Sequence, residues 1–247
     1  MDINQYKQIL IYDHPHTLHE HMDVDSILLE QCLADDLIVR FWTSNGVVFG
    51  KLDTILKNFE EGKQYLTGQG IDTTIRKSGG LAVFLDDQTL NISLIISKRN
   101  SKIDINEGYK RTVDMLSDFL KKYDVKMYNE EISNSYCPGK YDCVIDGFKF
   151  CGIAQFQKKY HAVIMLNMVV AGDQRRRLGH IKNFYSLSNT ANSSVYPTIH
   201  MSSMKTLSEL TQLDLSCAQV INDFKEYLSS HDNVRTLDKI QISENNI

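Results

Sequence analysis

Hydrophobic and polar positions along this chain recur with a period near 3.6 in some stretches and 2 in others, so helices and strands are expected to interleave. Val24, Ile27 and Leu28, with Cys32 a turn later, predict a helix over residues 23–34. Residues 37–50 are rich in β-formers, and Ser44-Asn45-Gly46 reads as a turn between two strands. An amphipathic helix over 51–68 is closed by Gly68 and Gly70, and 73–76 reads as a short strand interrupted by Ser78-Gly79-Gly80. Residues 81–85 and 90–96 suggest a hairpin around Asp86-Asp87-Gln88-Thr89, with Leu90, Ile92 and Leu94 on one face and Asn91 and Ser93 on the other. Tyr109, Val113, Leu116 and Leu120 mark a helix over 105–123. A strand over 162–170, a basic helix over 173–185 and one or two helices over 207–231 complete the pattern, and the polar tail after 232 is expected to fray.

Asp146-Gly147 is a type I′ hairpin signal. A two-residue loop there sets Ile145 opposite Phe148, Val144 opposite Lys149, Cys143 opposite Phe150 and Asp142 opposite Cys151. Period 2 then groups Cys143, Ile145, Phe148 and Phe150 on an apolar face, and Asp142, Val144, Lys149 and Cys151 on the other. The lysine is either solvated or lines a cleft.

Strands and helices mix without strict β-α-β alternation, which predicts an α+β domain with a mixed sheet. With no internal repeat and no linker seam, residues 1–247 are expected to form one domain. Composition narrows the class further: 42% hydrophobic and 23% charged residues exclude disorder as the main state, and 27 basic against 31 acidic residues argue against a nucleic-acid binder. No apolar run is long enough to span a membrane and no signal-peptide pattern opens the chain, so the expected location is cytoplasmic.

Two segments carry candidate chemistry. Arg76-Lys77-Ser78-Gly79-Gly80 is either a glycine-rich bend with surface cations or a loop whose backbone closes on a ligand. Cys137, followed by Pro138-Gly139, sits in a turn that can present a thiol, with Lys149 able to fold back towards it; the alternative is an inert loop cysteine and a surface lysine. Cys32, Cys143, Cys151 and Cys217 read as packing residues, and His14, His16, His19 and His21 as surface polar residues with no metal-ligand spacing. Neither a Walker loop nor a dinucleotide fingerprint is present. Arg175-Arg176-Arg177 opens a helix as a solvated basic face that, with Lys77, could meet an acidic protein partner.

The run from Arg76 to Val83, followed by Asp86 and Leu90-Asn91-Ile92-Ser93, resembles the RRxSGGGxVxHDxGxLN signature of the biotin/lipoate protein ligase and octanoyltransferase superfamily. Asp146-Gly147-Phe148-Lys149-Phe150-Cys151-Gly152-Ile153-Ala154-Gln155 resembles that superfamily's D-G-x-K-x-x-G-x-A-Q hairpin with its active-site lysine, and the likeness spans about 37–185. Ile75, Leu81, Leu85 and Gln88 depart from the signature at its first arginine, third glycine, histidine and last glycine. Ser135-Tyr136-Cys137-Pro138-Gly139 is similar to the amidotransferase branch, and the accessory C-terminal domain of many lipoate ligases is not expected here.

The resemblance implies a lipoate-ligase-like catalytic domain with a mostly antiparallel mixed sheet flanked by helices. It implies transfer of an octanoyl or lipoyl group from the glycine cleavage H protein to the lipoyl domains of 2-oxoacid dehydrogenase E2 subunits, without ATP, metal or other cofactor. Cys137 is then the acyl-thioester nucleophile, and Lys149 favours the thiolate and exchanges protons. Arg76, Ser78, Gly79, Gly80, Asn91 and Gly152 line the substrate. Splitting one amide exchange into two steps through a thioester suits a thiolate, and an apolar slot would hold the acyl chain at ~0.8 kcal/mol per buried CH₂. An ATP-dependent lipoate ligase, an octanoyl transferase from acyl carrier protein and a non-catalytic acyl-group binder are the alternatives.

Overall fold

The computed structural model describes residues 2–99, 103–189 and 195–240. In chain order its elements are β1 (Gln8–Tyr12), α1 (Leu18–Gln31), β2 (Asp36–Trp42), β3 (Gly46–Phe49), α2 (Phe59–Gly68), β4 (Thr73–Ile75), β5 (Val83–Leu85), β6 (Thr89–Ser97), α3 (Ile105–Leu120), β7 (Tyr128–Asn129), β8 (Cys143–Ile145), β9 (Phe148–Gln157), β10 (His161–Val169), α4 (Gln174–Ser188), α5 (Leu207–Thr211), α6 (Cys217–Leu228) and β11 (Val234–Thr236). They build an eight-stranded sheet, ordered β11-β1-β2-β6-β10-β9-β8-β7, and a three-stranded sheet, ordered β4-β3-β5. The large sheet is parallel only at its β11-β1-β2 end and antiparallel elsewhere, so the expected α+β class with a mixed, mostly antiparallel sheet is found.

Period-2 alternation sorts the two faces of the large sheet. Leu37, Val39 and Phe41 of β2, Leu90, Ile92, Leu94 and Ile96 of β6, and Ile164, Leu166 and Met168 of β10 point into one core with Leu116 and Phe119 of α3 and Phe224 of α6. The opposite face is apolar only at one end, where Ile38, Ile95 and Val163 meet Val24, Leu28 and Leu29 of α1. Elsewhere it carries Arg40, Trp42, Asn91, Ser93 and Asn167, and a cavity lies over this part of the face. A third cluster packs the small sheet against α2 and α4 through Phe49, Phe59, Leu178, Ile181 and Phe184. Among the described residues no helix is long and apolar enough to cross a membrane.

Several expectations are corrected. The strands around Asp86–Thr89 are not a hairpin: β5 pairs with β3, whereas both edges of β6 are taken by β2 and β10. The bend is a sheet-to-sheet crossing, held by Asp86 Oδ1 accepting from Gln88 N and Thr89 Oγ1. Likewise β2 and β3 flank Ser44-Asn45 but belong to different sheets. The helix expected over 51–68 is a 3₁₀ turn at Asp53–Ile55 followed by α2, and α1 starts earlier, at a capping box of Thr17 and Glu20. The tail after 232 does not fray at once, because β11 adds to β1 and Ile240 is buried; residues 241–247 lie outside the described residues.

Of the basic cluster, Lys77, Arg175 and Arg176 lie at the surface as expected and Arg177 alone is internal. Arg177 is fully buried and donates from Nε and Nη2 to the Asp86 carboxylate, both at 2.8 Å, and from Nη2 to the Ala171 carbonyl. Arg176 reaches the same carboxylate at 3.1 Å and Lys77 pairs with Asp23 at 2.6 Å, both from exposed positions. Arg177 thus ties α4 to the crossing between the two sheets.

Candidate active site

The 146–147 turn forms as its residues dictate: Asp146 and Gly147 both take positive φ, 50° and 79°, and Ile145 and Val144 pair with Phe148 and Lys149. Beyond Lys149 the register slips, so that Cys143 faces Cys151 and Phe150 is the extra residue of a β-bulge. Phe150 and Cys151 therefore both enter the core, and Cys151 does not share a face with Lys149 as strict alternation had it. The same slip leaves Gly152 beside Lys149, whose Nζ lies 3.7 Å from where a Gly152 Cβ would stand.

Lys149 is 1% exposed and points back under the loop before β8. Its Nζ donates to the carbonyls of Cys137 (2.8 Å) and Tyr136 (3.0 Å), approaches Ser135 Oγ at 3.3 Å and pairs with Asp142 Oδ1 at 3.0 Å. Asp142 also accepts from Gly139 N, so one buried ion pair grips both sides of Cys137-Pro138. Burial pushes the Asp142 carboxyl above the usual carboxylate range, with the Lys149 charge opposing the rise. Cys137 itself adopts φ +45°, a backbone state that a non-glycine residue holds only where its surroundings impose it.

The thiol meets a different cation from the one expected. Cys137 Sγ accepts from the backbone amide of Leu81 at 3.1 Å and lies 3.6 Å from Arg76 Nη2, while Lys149 contacts the Cys137 carbonyl. Arg76 is held in place by the carbonyls of Gly79 and Leu81. Gly80 has φ +95°, and a Cβ there would stand 2.6 Å from Arg76 Nη2 and 3.0 Å from the sulfur, so this position requires glycine on both counts. Leu81, at the third glycine of the signature, contributes its backbone amide. Arg76→Lys would keep the charge but lose the planar fork that reaches Gly79, Leu81 and Cys137 together. It is expected to slow iodoacetamide labelling of Cys137 about tenfold, the effect of one lost charged contact, and an unchanged rate would separate the guanidinium from the thiol's reactivity.

Cys137, Lys149, Arg76, Ser78, Asn91 and Gly152 all line one cavity of about 100 Å³. Gly79 and Gly80 stand outside its lining and shape it through Arg76 and the sulfur. The floor is a row across four strands, Trp42-Asn91-Asn167-Gly152, about 14 Å long at the usual strand spacing. Val48, Val83, Leu85, Phe156 and Met165 make its apolar wall. Cys137 is half-buried, whereas the other four cysteines are buried. Burial pushes the Cys32 and Cys217 thiols up to about 12, and the contact with Cys151 together with burial raises Cys143. Cys137 is therefore the thiol placed to react.

The end of the cavity away from Lys149 carries residues whose roles the sequence concealed. His21 is 2% exposed and His16 is nearly as enclosed, against the surface role expected for them. His21 stacks on Trp42 with ring centroids 4.3 Å apart and takes a hydrogen bond at Nδ1 from Arg40, which is fully buried and paired with Asp25 at 2.7 Å. Burial, reinforced by Arg40, lowers the His21 pKa to about 3. Between pH 6.5 and 3 the unfolded chain therefore takes up a proton that the native imidazole refuses, and stability falls as pH drops by about 1.4 kcal/mol per pH unit from this residue. Urea unfolding at pH 7.5, 6.5 and 5.5 should show the loss, with a shallower slope for His21→Gln; equal slopes would assign the effect to other groups.

A half-buried thiol packed against a glycine-rich loop, at one end of an apolar cavity over a mixed sheet, marks the site of a lipoate-ligase-like fold. The model of the lipoyl protein ligase A/B catalytic domain matches residues 17–229, and the chain belongs to that family. An octanoyl-[GcvH]:protein N-octanoyltransferase of Anoxybacillus flavithermus is 36% identical over 196 residues, covering 78% of this chain and 70% of the relative. A lipoyl-[GcvH]:protein N-lipoyltransferase of Listeria monocytogenes is 32% identical over 196 residues, 76% of this chain and 70% of its own. A solved structure of a lipoate protein ligase from T. acidophilum with bound lipoic acid superposes with a TM-score of 0.71 at 18% identity, covering 95% of this chain and 90% of that one, which shows the shared fold.

Proposed function

We propose that the chain is a protein acyltransferase that moves an octanoyl or lipoyl group from a lysine of the glycine cleavage H protein to a lysine of an E2 lipoyl domain, through a thioester on Cys137. The observation that carries this reading is the position of Cys137 Sγ, held by the Leu81 amide and Arg76 at one end of the apolar cavity. An eight-carbon chain extends about 9 Å at the per-bond rise of extended backbone, and so fits along the row from Gly152 towards Trp42. Its seven carbons beyond the carbonyl would contribute several kcal/mol on burial.

The Cys137 thiolate attacks the carbonyl carbon of the donor's acyl-lysine. The C–N bond breaks, the amine leaves with the proton that the Cys137 thiol gave up on ionising, and a C–S bond remains. The acceptor amine then attacks the thioester, loses a proton and expels the thiolate. The Leu81 amide and the Arg76 guanidinium meet the sulfur, where negative charge resides before attack and returns when the thioester is opened. One amide is broken and one is made, so the exchange is close to balanced in free energy and draws on no nucleotide.

The test mixes the chain with octanoylated H protein and an unmodified E2 lipoyl domain, without nucleotide, and follows all three by intact-mass spectrometry. An acyl-enzyme that forms and then passes its acyl group to the lipoyl domain is the expected result. Modification that requires free acid and ATP would make the chain a ligase instead, and a chain that never gains the acyl mass would be a binder.

A further inference from the structure

Asp53 and Tyr185 stand 132 residues apart in sequence and form one buried pair behind the glycine loop. Tyr185 Oη donates to Asp53 Oδ1 at 2.8 Å and accepts from the backbone amide of Ala82 at 3.1 Å. The other carboxylate oxygen, Oδ2, accepts from Gly50 N at 2.8 Å. Gly50 lies so close to the loop that a Cβ there would fall 1.8 Å from the Gly80 carbonyl oxygen. The carboxylate thus holds both pieces of backbone that confine residues 80–82. The next amide along the loop, that of Leu81, is the one that meets the Cys137 sulfur.

We propose that Asp53, acting through Tyr185, is a positioning residue that aims the Leu81 amide at Cys137 and must be ionised to do so. An ionised carboxylate accepts both hydrogen bonds strongly, whereas a protonated one accepts weakly on its hydroxyl oxygen. Asp53 is fully buried, and burial raises its pKa to about 6 against the hydrogen bonds from Tyr185 and Gly50 and the charge of Arg76. The groups that face it are Tyr185 from α4, Arg76 from the end of β4 and Tyr196 from the segment after α4, with Cys137 reaching it through Tyr185. Burial pushes the Tyr185 phenol well up, reinforced by Asp53, so Tyr185 stays a donor throughout the working range. The inference rests on Cys137 as the reactive thiol, and its test includes a readout that does not need acyl transfer.

The experiment uses the full chain and two variants, Asp53→Asn and Tyr185→Phe, with folding checked by circular dichroism and thermal melting. Both the rate of iodoacetamide alkylation of Cys137 and the rate of acyl transfer are followed from pH 5 to 8.5. Both variants are expected to alkylate roughly tenfold more slowly at pH 7, the effect of one lost charged hydrogen bond in the support. In the native chain, log rate against pH should steepen below about pH 6, beyond the fall that thiolate attack alone gives. That extra limb should be missing in Asp53→Asn. Native-like alkylation by both variants, or an extra limb that survives in Asp53→Asn, would overturn the proposal. If Asp53→Asn fails to fold, Tyr185→Phe decides, because it keeps the carboxylate and cuts only its link to Ala82. Altered alkylation in a chain that transfers no acyl group would sustain the positioning role and sink the proposed function instead.

Discussion

Cys137→Ala is expected to abolish both the acyl-enzyme and the transfer of its acyl group, lowering the rate on the order of 10⁴-fold or more, as removal of a covalent nucleophile does. The other thiols offer no substitute. Cys143 and Cys151 face each other in the core, and Cys32 and Cys217 are buried among apolar side chains. Cys143→Ala and Cys151→Ala should each leave transfer near the native rate and cost about 1 kcal/mol of stability. Intact-mass spectrometry after mixing with octanoylated H protein reads the first result directly. An adduct that accumulates on Cys137→Ala would remove Cys137 from the role of nucleophile.

That Cys151 does not share a face with Lys149 shows where reading the sequence reaches its limit. The 146–147 turn and the pairing of Val144 with Lys149 follow from Asp-Gly and period 2. The bulge at Phe150 does not, because Cys143, Phe150 and Cys151 are all compatible with a core and either register buries them. The same holds for β5 and β6. Alternation identifies each strand and its faces, but a strand's partner depends on which edges are free, and β2 and β10 take both edges of β6.

Site residues were legible where a local motif carries them, as with Arg76-Lys77-Ser78-Gly79-Gly80, Cys137 before Pro-Gly, and the lysine three residues after Asp146. Their contacts were less so. Lys149 was expected beside the thiol, yet its acceptors are mainly backbone carbonyls, which leave no trace in the choice of residues. Arg76 meets the sulfur because the two-glycine turn folds its guanidinium back over Leu81. His21 and Arg40, on a helix and a strand separated by a tight turn, come together only when α1 lies across the sheet. Nothing local to Asp53 or Tyr185 announces that they meet.

Lys149→Met should destabilise the chain by about 3–5 kcal/mol, since it strands a buried carboxylate, and it should also lose transfer because the backbone around Cys137 loses its anchor. The sign of the pH dependence identifies the cause. Without its cation, Asp142 has a folded pKa further above its unfolded value than in the native chain. The native state of the variant then binds the extra proton, and the contribution of this carboxyl to stability is greatest at low pH and is lost as pH rises through that raised pKa. The variant should therefore lie closer to the native chain in stability at pH 5 than at pH 8 by urea unfolding. Adding Asp142→Asn removes the stranded charge, so the double variant should recover a good part of the lost stability without recovering transfer. This follows because the carbonyls of Tyr136 and Cys137 still lack the ammonium that holds the thiol in place. A double variant that regains both stability and transfer would reduce Lys149 to the partner of a buried carboxylate. One that regains stability alone makes the ammonium part of the machinery that presents Cys137.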